Sequence, residues 1–372
     1  MKLDEQNVKA FYALLRAGLW ETDVRLSVQC EVNFNEVYRL ADFQAVTGLI
    51  AAGLEKAQDV SVPKETILVF AGRILLLETQ NEAMNGFIAN LVTKMHKAGI
   101  NPILVKGQGI AHCYEKPYWR SCGDVDFLIN VDDYEKAKDF LKPLASTEEP
   151  EDSYLKHSAF MVDNWMVELH GNLRTGLSAR VDRVIDRIHN NTFKQEETRV
   201  AKIGGVEVSL PSPDNDVIFI FTHFLKHFFK GGIGVRQICD WCRLLWTYRT
   251  AINCDLLEKR IREMRVVTEW RTFAAYAVTY LGMPKQFMPL YSDNIKWKRK
   301  AKSINKIILC SGTFGDRDLS YKNRYPLLVG KTISFFKGTK YYLRLAGFFP
   351  KDAMVSCLNF ITIRFYALIR GE

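Results

Sequence analysis

Three acidic residues stand where they could hold a divalent cation. Asp124 and Asp126 are two apart in the run Asp124-Val125-Asp126-Phe127-Leu128-Ile129, which alternates and reads as a strand. On a strand both carboxylates leave one face, while Val125 and Phe127 point into a core. Two carboxylates at that spacing repel each other unless a cation lies between them. Mg²⁺ fits, because it is a hard ion that takes carboxylates together with phosphate oxygens. A bare Asp-x-Asp is by itself an ordinary solvated strand face. Here it follows a short apolar run at 102–105, a Lys106-Gly107 turn and a polar loop. Glu168 lies on a later expected strand, sharing a face with Met166 and His170. It reads either as a third ligand or as an exposed strand residue. Three carboxylates on adjacent strands can hold two metals, which clamp the attacking and leaving oxygens of a phosphoryl displacement.

The elements that must position these groups follow from periodicity. Residues 7–19 carry Val8, Phe11, Leu14, Leu15 and Leu19 at helical spacing, and further helices are expected at 37–55, 64–78 and 81–97, with Gly99 as a C-cap. Strands are expected at 102–105 and 124–129, then at 158–162 and 166–169 around an Asp163-Asn164 turn. Short helices fall at 108–115 and 131–144, and 199–210 reads as a hairpin about Gly204-Gly205. Ser212-Pro213-Asp214 starts a helix, and strongly apolar helices follow at 217–229 and 237–248. The expected organisation is an N-terminal helical region (1–95), an α/β core (96–212) and a C-terminal helical domain with a basic tail (213–372).

At this point the sequence resembles a family. Leu104-Val105-Lys106-Gly107, Arg120, Gly123-Asp124-Val125-Asp126-Phe127-Leu128-Ile129 and Val167-Glu168-Leu169-His170 stand in the order found in the bacterial uncharacterised nucleotidyltransferase family of the polymerase-β superfamily. Pro213-Asp214, His223, Lys226, Arg236 and Asp240 extend the resemblance, which spans roughly residues 65 to 250. It implies an α+β fold: a polymerase-β-like nucleotidyltransferase core with a mixed sheet, flanked by helical regions. It implies metal ligation by Asp124 and Asp126, with Glu168 as the third carboxylate, which helps bind the catalytic Mg²⁺ or Mn²⁺ and could accept the proton of the attacking hydroxyl. The superfamily's usual Gly-Ser turn reads Lys106-Gly107-Gln108 here, so the serine hydroxyl is missing and Lys106 is left to meet phosphate by charge. Arg120 is expected to offset developing charge. His223, Lys226, Arg236 and Asp240 become candidates for the far wall of the nucleotide cleft. The implied reaction transfers a nucleoside monophosphate from ATP or another NTP to an acceptor hydroxyl and releases pyrophosphate. The acceptor could be a small molecule, a protein or RNA. Such chemistry needs positioning and charge neutralisation more than covalent help from the protein. The rival readings are a non-catalytic nucleotide- or partner-binding module, antitoxin or regulatory, and an RNA-binding protein.

Other signals read more plainly. His223 and His227 share a helix face, but no third zinc ligand is apparent. Cys239 and Cys242 form a single Cys-x-x-Cys inside a helical pattern and read as buried thiols. Gly231-Gly232-Ile233-Gly234 is a helix break. Composition is ordinary for a globular chain: 372 residues, 48% hydrophobic and 25% charged, with eight cysteines. No run of eighteen apolar residues and no signal-peptide pattern occurs, so a cytoplasmic protein with free thiols is expected. The net charge of +9 is uneven. Residues 291–372 hold sixteen basic and five acidic side chains, a net of +11. Lys296, Lys298, Arg299 and Lys300 around Trp297, and Lys337, Lys340 and Arg344 near Phe335, Phe336, Tyr341 and Tyr342, could meet RNA or an anionic surface. They equally suit helices packed on the core with snorkelling lysines. The stretch 354–369, interrupted by Asn359 and Arg364, is expected to be a packed terminal helix.

Overall fold

The structure, a computed structural model, describes residues 4–27, 32–312, 339, 341–343, 345–349 and 357. The fold is α+β. Its first helix, α1 (Glu5–Trp20), is N-capped by Asp4, whose side chain accepts from the Gln6 amide. The expected helix at 37–55 is two, α2 (Phe34–Phe43) and α3 (Thr47–Leu54). Gln44 explains the break. Its amide nitrogen donates to the Ile308 carbonyl at 3.0 Å and its oxygen accepts from the Val235 amide at 2.8 Å, so the turn ties down the ends of two C-terminal helices.

The opposite correction applies at 64–97. The helices expected at 64–78 and 81–97 are one continuous α4 (Lys64–Lys97). No proline interrupts it, and Gly72 and Gly86 lie on it with open space around them. This helix joins two hydrophobic cores. Phe70, Ile74 and Leu77 pack with the N- and C-terminal helices, whereas Met84, Ile88, Leu91, Val92 and Met95 pack on the sheet.

The sheet is mixed, in the order β1-β2-β5-β4-β3. Its strands are β1 (Ile103–Val105), β2 (Val125–Leu128), β3 (Thr147–Glu148), β4 (His157–Val162) and β5 (Trp165–His170). Strands β2 and β5 run parallel, and the other neighbours antiparallel. Alternation sends Val125, Phe127, Val167 and Leu169 into the core shared with α4. Ile103, Val105 and Leu128 join the helical core on the other side. A short α5 (Gly107–Ala111) follows β1, and α6 (Tyr134–Leu141) follows β2. Both are shorter than expected, α6 passing into a 3-10 turn at Lys142–Leu144 that contains Pro143.

Helix α7 (Ala179–Lys194) was not among the expected elements. It is capped by Ser178 and buries Val181, Val184, Ile185 and Ile188. Strands β6 (Thr198–Ile203) and β7 (Val206–Pro211) form the expected hairpin. Gly204 and Gly205 make its turn with φ of 55° and 87°, the double positive that a type I′ turn requires. A side chain on Gly204 would also strike the Asn85 carbonyl of α4.

Pro213 opens α8 (Pro213–Lys230) from the first turn, where its missing N–H costs nothing. Then come α9 (Val235–Thr247), α10 (Cys254–Met264), α11 (Val267–Tyr280) and α12 (Ile295–Ser311). Phe221, Phe224, Trp241, Trp270 and Phe273 interlock at their centre. Side chains of α1 to α3 and of α8 to α12 share this one core. Among the described residues no helix is long and apolar enough to cross a membrane, and the cysteines are unpaired thiols. Cys239 and Cys242 are buried in α9 as expected. Of the basic tail, Lys296, Lys298, Arg299, Lys300 and Trp297 lie on α12, where Lys298 pairs with Asp293. Phe335, Phe336, Lys337, Lys340, Arg344 and, of the stretch 354–369, all but residue 357 lie outside the described residues.

Candidate active site

The parallel pairing of β2 with β5 sets Asp126 directly beside Glu168, and the antiparallel pairing of β1 sets Val105 on Asp126's other side. Asp126 is almost wholly buried, whereas Asp124, just ahead of β2, is exposed. One ligand oxygen from each of Asp124, Asp126 and Glu168 lies within 4.8 Å of the other two. The sequence-expected trio is therefore brought together.

Cationic and imidazole groups surround these carboxylates. Lys106 leaves the end of β1 with φ 59° and ψ −145°, a backbone that non-glycine residues rarely adopt. Its Nζ lies 2.7 Å from Asp126 Oδ1. His170 Nε2 lies 2.8 Å from the same oxygen and 3.4 Å from Glu168 Oε2. His157, opposite His170 across the β4–β5 ladder, brings its Nε2 to 3.0 Å from Glu168 Oε2.

The electrostatics follow from this crowding. Repulsion from Asp126 holds the Asp124 carboxyl above its usual range against the pull of Lys106. Burial alone would raise Glu168. Hydrogen bonds from His157 and His170, with the charge of Lys106, carry it well below the carboxylate range. Burial likewise works against the Lys106 ammonium, but Asp126, Glu168 and Asp124 together raise it. Mutual repulsion within a carboxylate trio that already attracts an ammonium is the donor chemistry a hard divalent cation relieves. Asp124, Asp126 and Glu168 fit such an ion.

Helix α8 carries further basic groups within electrostatic reach of this cluster. His223, Lys226 and His227 share one face, and the two imidazole rings lie 4.5 Å apart. Lys106 and Glu168 are among the charges acting on all three. Burial, then Lys230 and Lys106, push Lys226 down to about 8. Burial, followed by the positive charge of Lys106, holds His223 and His227 below the ordinary histidine range.

The remaining expected residues are placed differently. Arg120 and Asp240 are buried against each other in a two-pronged pair, Nε to Oδ1 at 2.8 Å and Nη2 to Oδ2 at 2.9 Å. The Tyr114 hydroxyl donates to Asp240 Oδ1 at 2.8 Å. Arg236 Nη1 donates to the Ser121 carbonyl at 2.9 Å. Gln108 turns away to α4, donating to Asn81 Oδ1 at 3.0 Å and Asn85 Oδ1 at 2.8 Å. Asn81 in turn donates to the carbonyls of Tyr118 and Arg120. These contacts anchor the loop that delivers Gly123 and Asp124. Gly107 sits at the head of α5, where a Cβ would lie 3.4 Å from the Asp124 carbonyl.

His157 is the cluster residue that sequence reasoning missed. A signal existed: with a two-residue Asp163-Asn164 turn, the hairpin register places 157 opposite 170.

Comparison with protein families points to the nucleotidyltransferases. The chain belongs to the uncharacterised nucleotidyltransferase family, whose model matches residues 31–282, more than half of its length. The match contains every candidate site residue above. Comparisons with curated proteins and with solved structures found no match.

Proposed function

We propose that the chain is a metal-dependent nucleotidyltransferase with a polymerase-β-like core. It moves a nucleoside monophosphate from an NTP, with ATP the expected donor, to an acceptor hydroxyl and releases pyrophosphate. The observation that carries this reading is the in-register pair Asp126–Glu168 on parallel strands, with Asp124 completing the trio and the basic face of α8 within electrostatic reach.

Asp124, Asp126 and Glu168 would hold Mg²⁺ or Mn²⁺, which supplies Lewis-acid neutralisation of the phosphates when bound. Glu168, kept ionised by two imidazoles and a lysine, is suited to ligation more than to retaining a proton from the acceptor. Lys106 sits between the carboxylates and the Gly107 turn, where its ammonium can transfer from Asp126 to a phosphate oxygen. His223 and Lys226 present polar and cationic groups to the triphosphate from α8, and Arg236 adds charge beside the Ser121 carbonyl. The Arg120–Asp240 pair and Gln108 act as positioning groups. They fix the loop before β2 from α9 and α4, so that Asp124 meets the site in one geometry.

The test uses ATP labelled at either the α- or the γ-phosphate, incubated with Mg²⁺, the protein and cell extract. The reading expects α-label to move onto an acceptor fraction while γ-label leaves as pyrophosphate. Transfer of the γ-label instead would identify a kinase, and transfer of neither label would remove the catalytic reading.

A further inference from the structure

We propose that His157, Glu168 and His170 form a second divalent-metal position, selective for a first-row transition ion over Mg²⁺. The inference deepens the proposed function and rests on the reading of Glu168 as a metal ligand.

The geometry comes from the sheet. His157 and His170 face each other across antiparallel β4 and β5, and Glu168 lies two residues from His170 on the same face. Both imidazoles aim Nε2 at one carboxylate oxygen, at 3.0 and 3.4 Å from Glu168 Oε2. The three candidate ligand atoms all lie within 4.8 Å of one another. Ligand bonds of about 2.0–2.2 Å to a transition ion put neighbouring ligand atoms roughly 3–4 Å apart, so little movement is needed. Each imidazole now meets Glu168 through Nε2–H; with that proton displaced, or carried on Nδ1 instead, the same Nε2 would offer its lone pair to the ion.

The donor types decide which ion. Asp124 and Asp126 offer oxygen alone and suit Mg²⁺. Two imidazole nitrogens with one carboxylate suit Mn²⁺, Fe²⁺, Co²⁺ or Zn²⁺, all of which bind nitrogen better than Mg²⁺ does. Glu168 belongs to both groups and would bridge them, as a shared carboxylate does between paired metals. Lys106 and His170 both contact Asp126 Oδ1, so the two positions are coupled through Asp126 as well. His157 is partly exposed, with 28% of its side-chain surface accessible, so an ion can enter from the solvent side.

Co²⁺ serves as the probe, added to the full-length protein without nucleotide and followed by its visible ligand-field absorption in excess Mg²⁺. The wild type is expected to retain bound Co²⁺ that Mg²⁺ does not displace. His157→Gln and His170→Ala each weaken that binding by at least about tenfold, since each removes one of three ligands. Asp124→Asn leaves it in place, which separates this position from the carboxylate trio. Thermal melts confirm that the variants fold, and His157→Gln, at a partly exposed position, keeps the test sound if His170→Ala does not. Wild-type Co²⁺ affinity in His157→Gln, or ready displacement of Co²⁺ by Mg²⁺ from the wild type, would overturn the proposal. Because neither nucleotide nor acceptor is present, a chain that binds Co²⁺ as expected but transfers no nucleotide would contradict only the catalytic reading.

Discussion

Lys106 Nζ lies 2.7 Å from Asp126 Oδ1, so a lysine ammonium sits among the carboxylates of the proposed metal centre. A metal entering that centre must compete with it for Asp126. Replacing the lysine by an uncharged residue of similar length removes the competitor. Lys106→Met is therefore expected to tighten Mg²⁺ or Mn²⁺ binding in the absence of nucleotide by roughly tenfold, the scale of one charged hydrogen bond. The same change should weaken nucleotide binding, because the proposed phosphate contact is gone. Titration calorimetry reads both, and a metal affinity that does not rise would show that the ammonium is no competitor.

The Arg120–Asp240 pair is buried and two-pronged. Removing one partner strands a charge away from water. Arg120→Met and Asp240→Leu are each expected to cost about 3–5 kcal/mol in denaturant unfolding. The double variant should lose clearly less than the two losses added, since it strands neither charge. Simple additivity would mean the pair is not coupled.

Lys226 gives a pH signature. Burial, with Lys230 and Lys106, lowers it from the usual 10.5 to about 8. In the folded chain it is charged below pH 8 and neutral above, whereas unfolded it stays charged to about 10.5. Its burial therefore counts against the fold below pH 8, and that cost fades as pH rises from 8 towards 10.5. Nucleotide binding should show the reverse preference, with KM for the NTP rising above pH 8 as the charge is lost. Lys226→Arg should hold KM flat across that range. A wild-type KM with no inflection near 8 would remove Lys226 from the proposed phosphate contacts.

Helix glycines should separate by their surroundings. A Cβ on Gly18 would lie 1.9 Å from the Leu49 carbonyl oxygen, and one on Gly53 would lie 2.1 Å from that of Leu14. These two glycines allow α1 and α3 to touch backbone to backbone. Gly18→Ala is expected to destabilise by about 1–3 kcal/mol or more. Gly72→Ala and Gly86→Ala on α4 meet nothing within 4 Å and should stabilise by about 0.5–1 kcal/mol. Thermal melts of the three variants check the order.

Much of this was legible in the sequence because the signals were local. Strand alternation around Asp124-Val125-Asp126 gave β2, and the Asp163-Asn164 and Gly204-Gly205 turns gave both hairpins. Pro213 gave the start of α8. Partnership was not legible. No periodicity indicates that Gln44 breaks a helix to bond Ile308 and Val235, or that Gln108 faces Asn81 and Asn85. The continuity of α4 depends on packing against two cores, which overrides the weak helix preference of Thr79 and Asn81. Helix α7 had a readable pattern, Ser178 followed by Val181, Val184, Ile185 and Ile188, and shows that polar surroundings can hide a clear amphipathic face. His157 was readable as the partner of His170 from the Asp163-Asn164 turn, but its contact with Glu168 is a side-chain placement that periodicity does not give.

The most direct test of the account compares the wild type with Asp124→Asn and Asp126→Asn in one assay. Each is given α-phosphate-labelled ATP, Mg²⁺ and cell extract, and label is followed into protein, RNA and small-molecule fractions. The account predicts label on one acceptor class with the wild type and at least about a thousandfold less with either variant, since both carboxylates would hold the neutralising ion. Equal labelling by the wild type and by folded Asp124→Asn and Asp126→Asn proteins would contradict it.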